Sequence, residues 1–290
     1  MHGLIVRKNS MLLPTLLLAS GFLTAAAALA QTPSAAEIIR LAYERDEHND
    51  VIARQYTFRQ RVEVRKLDKQ DVINSSKSRT HDVTLLDGSE YKRLIAKNDQ
   101  PLSPEEEREE QLKLDKSIRK MRNETSRQRN KRLAERDKAK EEQRKWIAEI
   151  QNTFHFRLRG EETVQGIETY VIDADPKPGY KPAFDKAKFL TKMKAIFWIG
   201  KTDYSWVRIE AETLDTISFG WFLFRLGKGS ALRFTQIKVN DEVWMRDSFR
   251  VRLKGRVALL KDIYREILGA YSDFRKFSAD SNVIFSGAVE

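Results

Sequence analysis

Side chains suited to catalysis are sparse in this sequence. Outside the first thirty residues, histidine occurs at His48, His81 and His155, each beside polar or charged neighbours, which is typical of surface positions. No serine lies in a Gly-x-Ser-x-Gly elbow or in a pattern that pairs it with a histidine and an aspartate. The adjacent acids Glu161 and Glu162 are not evidence of a glycosidase site, because two carboxylates can meet in any fold. We therefore predict no active site and a protein that is not an enzyme.

Metal and cofactor sites are not indicated either. Asp173 and Asp175 would bind calcium only weakly, because the glycine and glutamate spacing of an EF-hand is missing. Residues 227–230, Gly-Lys-Gly-Ser, resemble a phosphate-binding loop, but the Walker spacing requires a glycine at the position of Phe222. The sequence contains no cysteine, which excludes cysteine-rich zinc sites, thiol nucleophiles and a lipid-modified N-terminal cysteine. We expect no cofactor and no metal.

The apolar segment 217–226 is the strongest sign of a binding site. Seven of its ten residues are large and apolar, four of them are aromatic, and the segment is too short to span a bilayer. It is either a buried plug that fills the concave side of a sheet or a mobile apolar lid that forms a wall for an acyl chain. Both interpretations place it inside a curved sheet, because so dense an apolar segment needs cover. The candidate ligand-binding residues combine this segment with apolar strand faces: Tyr56, Phe58, Phe156, Trp198, Phe219, Trp221, Phe222 and Phe224.

A basic run is the candidate for docking to an anionic surface. Its members are separated by few acids: Arg119, Arg122, Arg127, Arg129, Lys131 and Arg132. One interpretation is a solvated helix face. The other is electrostatic docking to anionic headgroups, to which each cation contributes about 1 kcal/mol. Nucleic-acid binding usually needs aromatic platforms among the cations, and this run contains none.

The first thirty residues predict export. Arg7 and Lys8 precede an apolar core, and Ala28-Leu29-Ala30 ends it with small residues, as in a cleaved secretory signal peptide. The alternative is an uncleaved anchor, which fits less well because a proline interrupts the stretch. Removing residues 1–30 lowers the formal charge from +11 to +9, which favours anionic partners. We expect a periplasmic protein with a single domain over residues 31–290.

Two helical regions are predicted. Residues 34–52 have an apolar side, and Ser34 is the expected N-cap. Ser103-Pro104-Glu105-Glu106 is a capping box that opens a charged helical insertion over residues 103–151. The insertion carries apolar residues near its start and its end, while its middle is charged and lacks a heptad repeat. We expect two docked ends and an exposed, broken middle.

Alternating apolar and polar residues predict strands through most of the remaining chain. The segments are 55–65, 78–86, 91–97, 154–159, 170–174, 196–214, 232–239, 243–245, 249–253 and a last strand that contains Tyr271, Phe274 and Phe277. Residues 87–88 and 164–167 provide turns. The predicted fold is mainly β with helices, an α+β class. It is a curved antiparallel half-barrel sheet with helices over its concave side.

Two segments resemble a known group. The strand 56–66, YTFRQRVEVRK, and the pair 197–214, FWIGKTDYSWVRIEAETL, are similar to the LolA/LolB-type periplasmic lipoprotein carriers and to the N-terminal domain of RseB-type regulators. Phe197-Trp-Ile-Gly200 and Val207-Arg-Ile-Glu210 occupy the places of the family's Trp-Ile-Asp turn and its Arg-Ile/Glu strand. Ala195 stands where the family has glycine, and Gly200 where it has aspartate. The resemblance implies a half-barrel whose apolar cavity receives acyl chains, and no catalytic residues.

These observations predict an exported lipid- or lipoprotein-binding carrier of the cell envelope. Its partners would be a lipid or an acylated lipoprotein, an anionic membrane surface and an envelope protein, but not nucleic acid. The alternative is an interaction or regulatory module in which the charged helix binds a protein partner. A hydrolase that uses scattered carboxylates is the third interpretation.

Overall fold

One antiparallel sheet forms most of the protein. The computed structural model describes residues 32–86, 89–219, 224–257 and 261–277. Within these ranges the strands are β1 (Tyr56–Leu67), β2 (Ile73–Leu86), β3 (Ser89–Lys97), β4 (Gln100–Pro101), β5 (Phe154–Val164), β6 (Ile167–Pro176), β7 (Met193–Gly200), β8 (Trp206–Thr213), β9 (Ile217–Phe219), β10 (Phe224–Leu226), β11 (Ala231–Val239), β12 (Val243–Val257) and β13 (Lys261–Lys276).

The helices accompany this sheet in three places. They are α1 (Ala35–Ala53), α2 (Pro104–Arg122) and α3 (Ser126–Thr153), with a short 3₁₀ helix at Asp185–Lys192. The Ser34 hydroxyl accepts a hydrogen bond from the Glu37 amide, as expected of the N-cap of α1. None of the helices in the described ranges is long and apolar enough to cross a bilayer.

The sheet is open and curved, as predicted. Its order is β4-β3-β2-β1-β13-β12-β11-β8-β7-β6-β5, every pair is antiparallel, and β4 and β5 end the order among the described strands. Seven strand spacings separate β3 from β7, which is about 34 Å in a flat sheet. Nevertheless, Glu90 on β3 and Phe197 on β7 line the same cavity. The strands therefore curl into a half-barrel.

Strand β12 corrects the sequence prediction. The pattern suggested two short strands, 243–245 and 249–253, but one strand runs from Val243 to Val257. Thr235 on β11 lies opposite Ser248 and Gln236 lies opposite Arg246, so Asp247 is an extra residue. Such a β-bulge interrupts the alternation without ending the strand.

The charged insertion has two docked ends and a broken middle. The Ser103 capping box forms, with the Ser103 hydroxyl bound by the Glu106 amide. The helix then ends at Arg122, and Thr125 starts α3 with a second capping box to Gln128, which the sequence prediction missed. The α2 end docks through the fully buried Leu114, while α3 docks near its C-terminus.

The main apolar core lies between α1 and strands β5–β8. Four residues of the first half of α1 are at most 8% exposed there: Ala35, Ile38, Ile39 and Ala42. They pack with the equally buried Ile172 and Ile199 of the sheet. A second cluster, which contains Val171, Trp198 and Val207, is separate from it.

Candidate functional site

A cavity of about 950 Å³ lies between α1, α3 and the concave face of the sheet. This volume falls in the range of about 300–1,000 Å³ that is usual for small-molecule sites. Its apolar wall comes from α3 and from seven strands: Ile147, Tyr56, Phe58, Val83, Leu85, Phe197, Trp206, Ile209, Phe234, Met245, Tyr271 and Phe274. Its charged residues come mainly from the helices: Asp46, Glu47, Asp50, Arg54, Glu90, Lys140, Arg144 and Arg246.

Aromatic rings form the floor of the cavity on β1 and β13. The Phe58 ring centroid lies 5.6 Å from that of Tyr271 and 6.2 Å from that of Phe274, both in tilted arrangements. Tyr56 is only 2% exposed. Its hydroxyl donates to a Glu242 carboxylate oxygen, and Asn240 donates to that hydroxyl at 2.9 Å. These contacts hold the floor rigidly, which is what a preformed site requires.

The two helices bring opposite charges to the cavity. Asp46, Glu47 and Asp50 come from α1, while Lys140 and Arg144 come from α3. Arg144 Nε lies 3.8 Å from Glu47 Oε1, and both side chains are more than half exposed. An exposed pair of this kind contributes only about 0–1 kcal/mol, so it can open without a large penalty.

Asp46 and Tyr43 place titratable groups inside the site. Burial raises the pKa of the Tyr43 phenol to about 12, and the charge on Asp46 adds to this. Burial also raises the pKa of the Asp46 carboxyl, and the nearby Asp50 raises it further, while Arg246 opposes both. The Tyr43 ring packs edge-on against Trp206 at a centroid distance of 5.1 Å. The cavity therefore combines an apolar floor with a carboxyl group that burial favours as neutral.

Asn49 fastens the second half of α1 over the cavity. Its side-chain amide donates to the Trp244 carbonyl at 2.8 Å and accepts from the Trp244 amide at 2.7 Å. The indole of Trp244 in turn donates to Asp203 at 2.8 Å. Sequence analysis missed Asn49, because a polar residue on a helix with an apolar side usually faces solvent.

The structure divides the predicted cavity residues. Tyr56 and Phe58 line the cavity. Phe156 packs instead in the main core, with its ring 6.4 Å from that of Phe197. Trp198 belongs to the second cluster, and its indole donates to Glu162 at 2.8 Å. Since Phe197 points into the cavity and successive strand residues alternate, Trp198 points away from it.

The apolar segment 217–226 is described at its two ends. Strands β9 and β10 pair with each other, with Phe219 opposite Phe224, and β10 also pairs with the end of β12. Phe224 is half-buried and does not line the cavity. Trp221 and Phe222 lie outside the described residues, as does the side chain of Phe219. The plug and lid interpretations both remain predictions.

The residues of the predicted basic docking surface lie at the junction of α2 and α3. Five of them are exposed: Arg119, Arg122, Arg127, Arg129 and Lys131. The sixth, Arg132, is half-buried and donates to Glu124 at 2.8 Å.

The three histidines of the described ranges lie on three different elements. His48 lies on α1 with Nδ1 2.9 Å from the Glu44 carbonyl, His81 lies on β2, and the exposed His155 lies on β5. Burial lowers the pKa of His81, and the nearby Lys92 lowers it further. Among the described residues, no group of three or more acids and histidines is placed to hold a metal ion.

Several lining residues were not predicted. Phe234 on β11 lies on an apolar strand face that alternation could have identified. Tyr271 and Phe274 on β13 are three residues apart, and both reach the cavity because the register of β13 against β1 shifts between them, which alternation does not predict. Asp46 and Arg144 gave no such signal, because charged helical residues usually face solvent. Only the packing of both helices over the sheet brings them to the cavity.

Comparison with known proteins finds relatives by structure alone. Neither the family models nor the curated proteins match the sequence. A DUF1329 family protein from Desulfovibrio piger matches at 13% identity and a TM-score of 0.35, over 88% of this chain and 98% of that one. A LolA superfamily protein from Nitrosomonas europaea matches at 10% identity and 0.29, over 85% and 94%. The Pseudomonas aeruginosa MucA/MucB complex matches at 8% and 0.23, over 84% and 99%.

Both groups that the sequence resembles are represented, since MucB is an RseB-type protein.

Proposed function

We propose that this protein is a non-enzymatic carrier of the cell envelope that holds the apolar chain of a lipid or of an acylated lipoprotein. The observation that supports the proposal is the cavity of about 950 Å³ between the helices and the aromatic floor of the sheet. Moving an acyl chain from water to such a floor gains about 25 cal/mol per Å² of buried apolar surface, which needs no chemistry.

The distribution of charge selects an amphipathic ligand. The apolar residues lie on the strands, while most of the charged ones lie on α1 and α3. A chain would lie along the strands, and its polar head would lie beside Asp46, Lys140 and Arg144. A wholly apolar ligand would offer no partner to Asp46 or Lys140, and covering these charges would cost part of their hydration.

The expected compartment agrees with this ligand. The predicted signal peptide would deliver the protein to the periplasm, where acyl chains must cross an aqueous space.

The test is direct detection and competition. Native mass spectrometry of the gently purified protein should show lipid adducts, and palmitate should displace the fluorescent probe N-phenyl-1-naphthylamine. Ala53→Trp places a large ring at the cavity wall and should weaken probe binding about tenfold or more, equivalent to about 1.4 kcal/mol. The matched control is Leu112→Trp, at an exposed position on α2 outside the cavity lining.

Three results would contradict the carrier. They are a protein without adducts, a probe that palmitate does not displace, and equal probe binding by both tryptophan variants at equal helix content.

The exposed junction of α2 and α3 favours a second candidate, a regulatory module that binds an envelope protein through the charged helix. Replacing residues 119–138 with a short flexible linker distinguishes the two. If the protein is a carrier, this variant should lose only its docking to a membrane surface. If it is a regulatory module, the variant should still take up the probe but should no longer capture a protein partner from cross-linked envelope extracts.

A further inference from the structure

The junction of α2 and α3 concentrates positive charge. We call residues 119–132 the basic tip: it contains seven lysines and arginines and a single acid, Glu124, which gives a formal charge of +6. Arg132 satisfies Glu124, and Lys131 approaches Glu135 at 4.0 Å. Among the described residues, Arg119, Arg122, Arg127 and Arg129 are exposed and form no ion pair. The structure therefore leaves most of this charge unneutralised.

The charged residues of α2 complement its helix dipole, whereas those at the start of α3 oppose the dipole of that helix. In α2, acids occupy the first turn and Arg119, Lys120 and Arg122 occupy the last turn, which complements the helix dipole. In α3 the first turn carries no acid, and Arg127 and Arg129 lie near its positive end. Such placement is unfavourable for the isolated helix. A local conflict of this kind is expected where function rather than stability selects the residues.

The cations are distributed around the tip rather than gathered in one pocket. Arg127 and Lys131 lie on one side of α3, while Arg129 and Arg132 lie on another, so the cations surround the helix. The tip contains no aromatic residue, and Met121 is its one large apolar residue. Protein interfaces usually have an apolar, aromatic-rich centre. A bilayer of anionic phospholipids needs only distributed cations.

One continuous helix joins the basic tip to the cavity. Arg127 and Arg144 are 17 residues apart on α3, which is about 26 Å. Lys140, Arg144 and Ile147 line the cavity. Between Arg144 and Ile147, the Trp146 ring packs against Phe184 at a centroid distance of 4.8 Å, which attaches the helix to the main core.

The buried side chain of Glu149 provides a second attachment of α3 to the rest of the protein. Glu149 is 3% exposed and accepts hydrogen bonds from the Tyr180 hydroxyl and the Ala183 amide, both at 3.1 Å. The distal half of α3 is thus fixed to the sheet, while its first half carries the exposed cations.

We propose that the basic tip docks on the headgroups of an anionic phospholipid bilayer and that α3 thereby sets the distance and orientation of the cavity relative to that membrane. The docking step stands on the charges of the tip alone. The orienting step rests on the proposed carrier function.

Vesicle co-sedimentation tests the docking step. The full chain should bind vesicles of phosphatidylcholine that contain about 30% of the anionic lipid phosphatidylglycerol, and should release them at high salt. Replacing Arg122, Arg127 and Arg129 with glutamine should weaken binding about 100-fold, at about 1 kcal/mol per cation. The matched control replaces three exposed cations elsewhere, Lys69, Lys188 and Arg233, and should change binding less than about threefold.

Either of two results would overturn docking. One is equal binding to neutral and anionic vesicles, and the other is equal loss in the two triple variants. A chain that ignores vesicles but captures an acidic protein would also overturn it in favour of a protein partner.

Transfer kinetics test the orienting step. Probe uptake from anionic vesicles should be faster than from neutral ones, and the triple variant of the tip should remove the difference. Ala134→Pro would break α3 between the tip and the cavity, and should keep vesicle binding while removing the acceleration. Ala134→Ser keeps the helix and is the matched control. Unchanged acceleration in the proline variant would overturn the orienting role.

The two proposals fail separately. Probe binding in solution, without vesicles, should be the same in the wild type and in the tip variant. Loss of vesicle binding with normal probe uptake in the wild type would remove the docking step and leave the carrier. Vesicle binding by a protein that takes up no probe would remove the carrier and the orienting step.

Discussion

The two halves of the concave side share a helix and a sheet but differ in how they are filled. The first half of α1 buries Ile38 and Ile39 almost completely in the main core, against strands β5–β8. The second half of α1 carries Asp46, Glu47 and Asp50 above a cavity whose floor is formed by β1, β12 and β13.

The difference lies in the covering helix rather than in the sheet. Both halves of the sheet present large apolar residues, for example Phe154 in the filled half and Phe58 in the open half. Branched apolar residues in the first half of α1 pack against the strands and close the space. The carboxylates of the second half line the cavity instead of filling it, because complete burial of a charge is costly. One helix thus supplies stability at one end and a binding site at the other.

Among the substitutions considered, one in the filled half should change the free energy of unfolding most. Ile172→Ala removes a fully buried side chain from β6 and should lower the free energy of unfolding by about 2–5 kcal/mol, because a cavity replaces packed atoms. Urea denaturation at pH 7 measures it. Val51→Ala, at a position that is 64% exposed, is the control and should change stability by less than about 0.5 kcal/mol. Equal losses in both variants would mean that burial of Ile172 does not stabilise the filled half.

Gly269 lies beside the floor of the open half, where close packing leaves no room for a side chain. A Cβ atom on Gly269 would lie 1.9 Å from the Phe249 ring, which packs across the glycine and beside Tyr271. Gly269→Ala should therefore cost about 1–3 kcal/mol in unfolding free energy. Adding Phe249→Ala should make the second alanine far less harmful, as a double-mutant cycle would show. Additive losses would mean that the ring does not constrain this position.

Acidification should strengthen ligand binding in the open half. Because the pKa of Asp46 is raised, its carboxyl becomes neutral at a higher pH than that of a free aspartate, and a neutral group is cheaper to bury beside an acyl chain. Affinity for N-phenyl-1-naphthylamine should rise as the pH falls from neutral toward the ordinary carboxyl range. Asp46→Asn should bind tightly and independently of pH. An unchanged pH profile in that variant would exclude Asp46 as the cause.

The same group has a defined effect on stability. The folded state binds a proton at Asp46 more readily than the unfolded state, so its contribution to stability decreases as the pH rises through its folded pKa. Glu63 behaves oppositely. Hydrogen bonds from Arg65 and Ser76 lower its pKa to about 2, so the stability it contributes is present above pH 4.5 and is lost toward pH 2. Binding should therefore be measured above pH 4.5.

The smallest effect is expected at the contact between the helices. Arg144→Ala removes the exposed pair with Glu47 and should change the unfolding free energy by less than about 0.5 kcal/mol. Probe dissociation should nevertheless accelerate, because α1 and α3 lose their one observed ion pair over the described part of the cavity. Stopped-flow fluorescence measures this rate. Lys145→Ala, which faces Glu141 within α3, is the control and should leave it unchanged.

Local signals made much of the fold predictable. Ser34 and Ser103 cap α1 and α2 as their neighbouring residues predict, and the strand at Tyr56 alternates as a half-buried strand should. The second capping box at Thr125 is equally local and could have been recognised. The bulge at Asp247 could not, because a broken alternation predicts a turn as readily as an extra residue.

The candidate site was only half predictable. Alternation alone indicates that Tyr56 and Phe58 share an apolar face, but it does not say which face of another strand meets them. Trp198 and Phe156 have the same apolar character and pack elsewhere. Strand order and register, which join residues more than a hundred positions apart, decide that question.

By itself, the amino-acid sequence determined the helix starts, the alternating strands and the basic tip, because caps, periodicity and charge density depend on neighbouring residues. Only the tertiary structure decided that α1 fills one half of the concave side and leaves the other open. That outcome depends on which side chains of α1 and α3 meet the curved sheet, and such contacts exist only after distant segments have packed together.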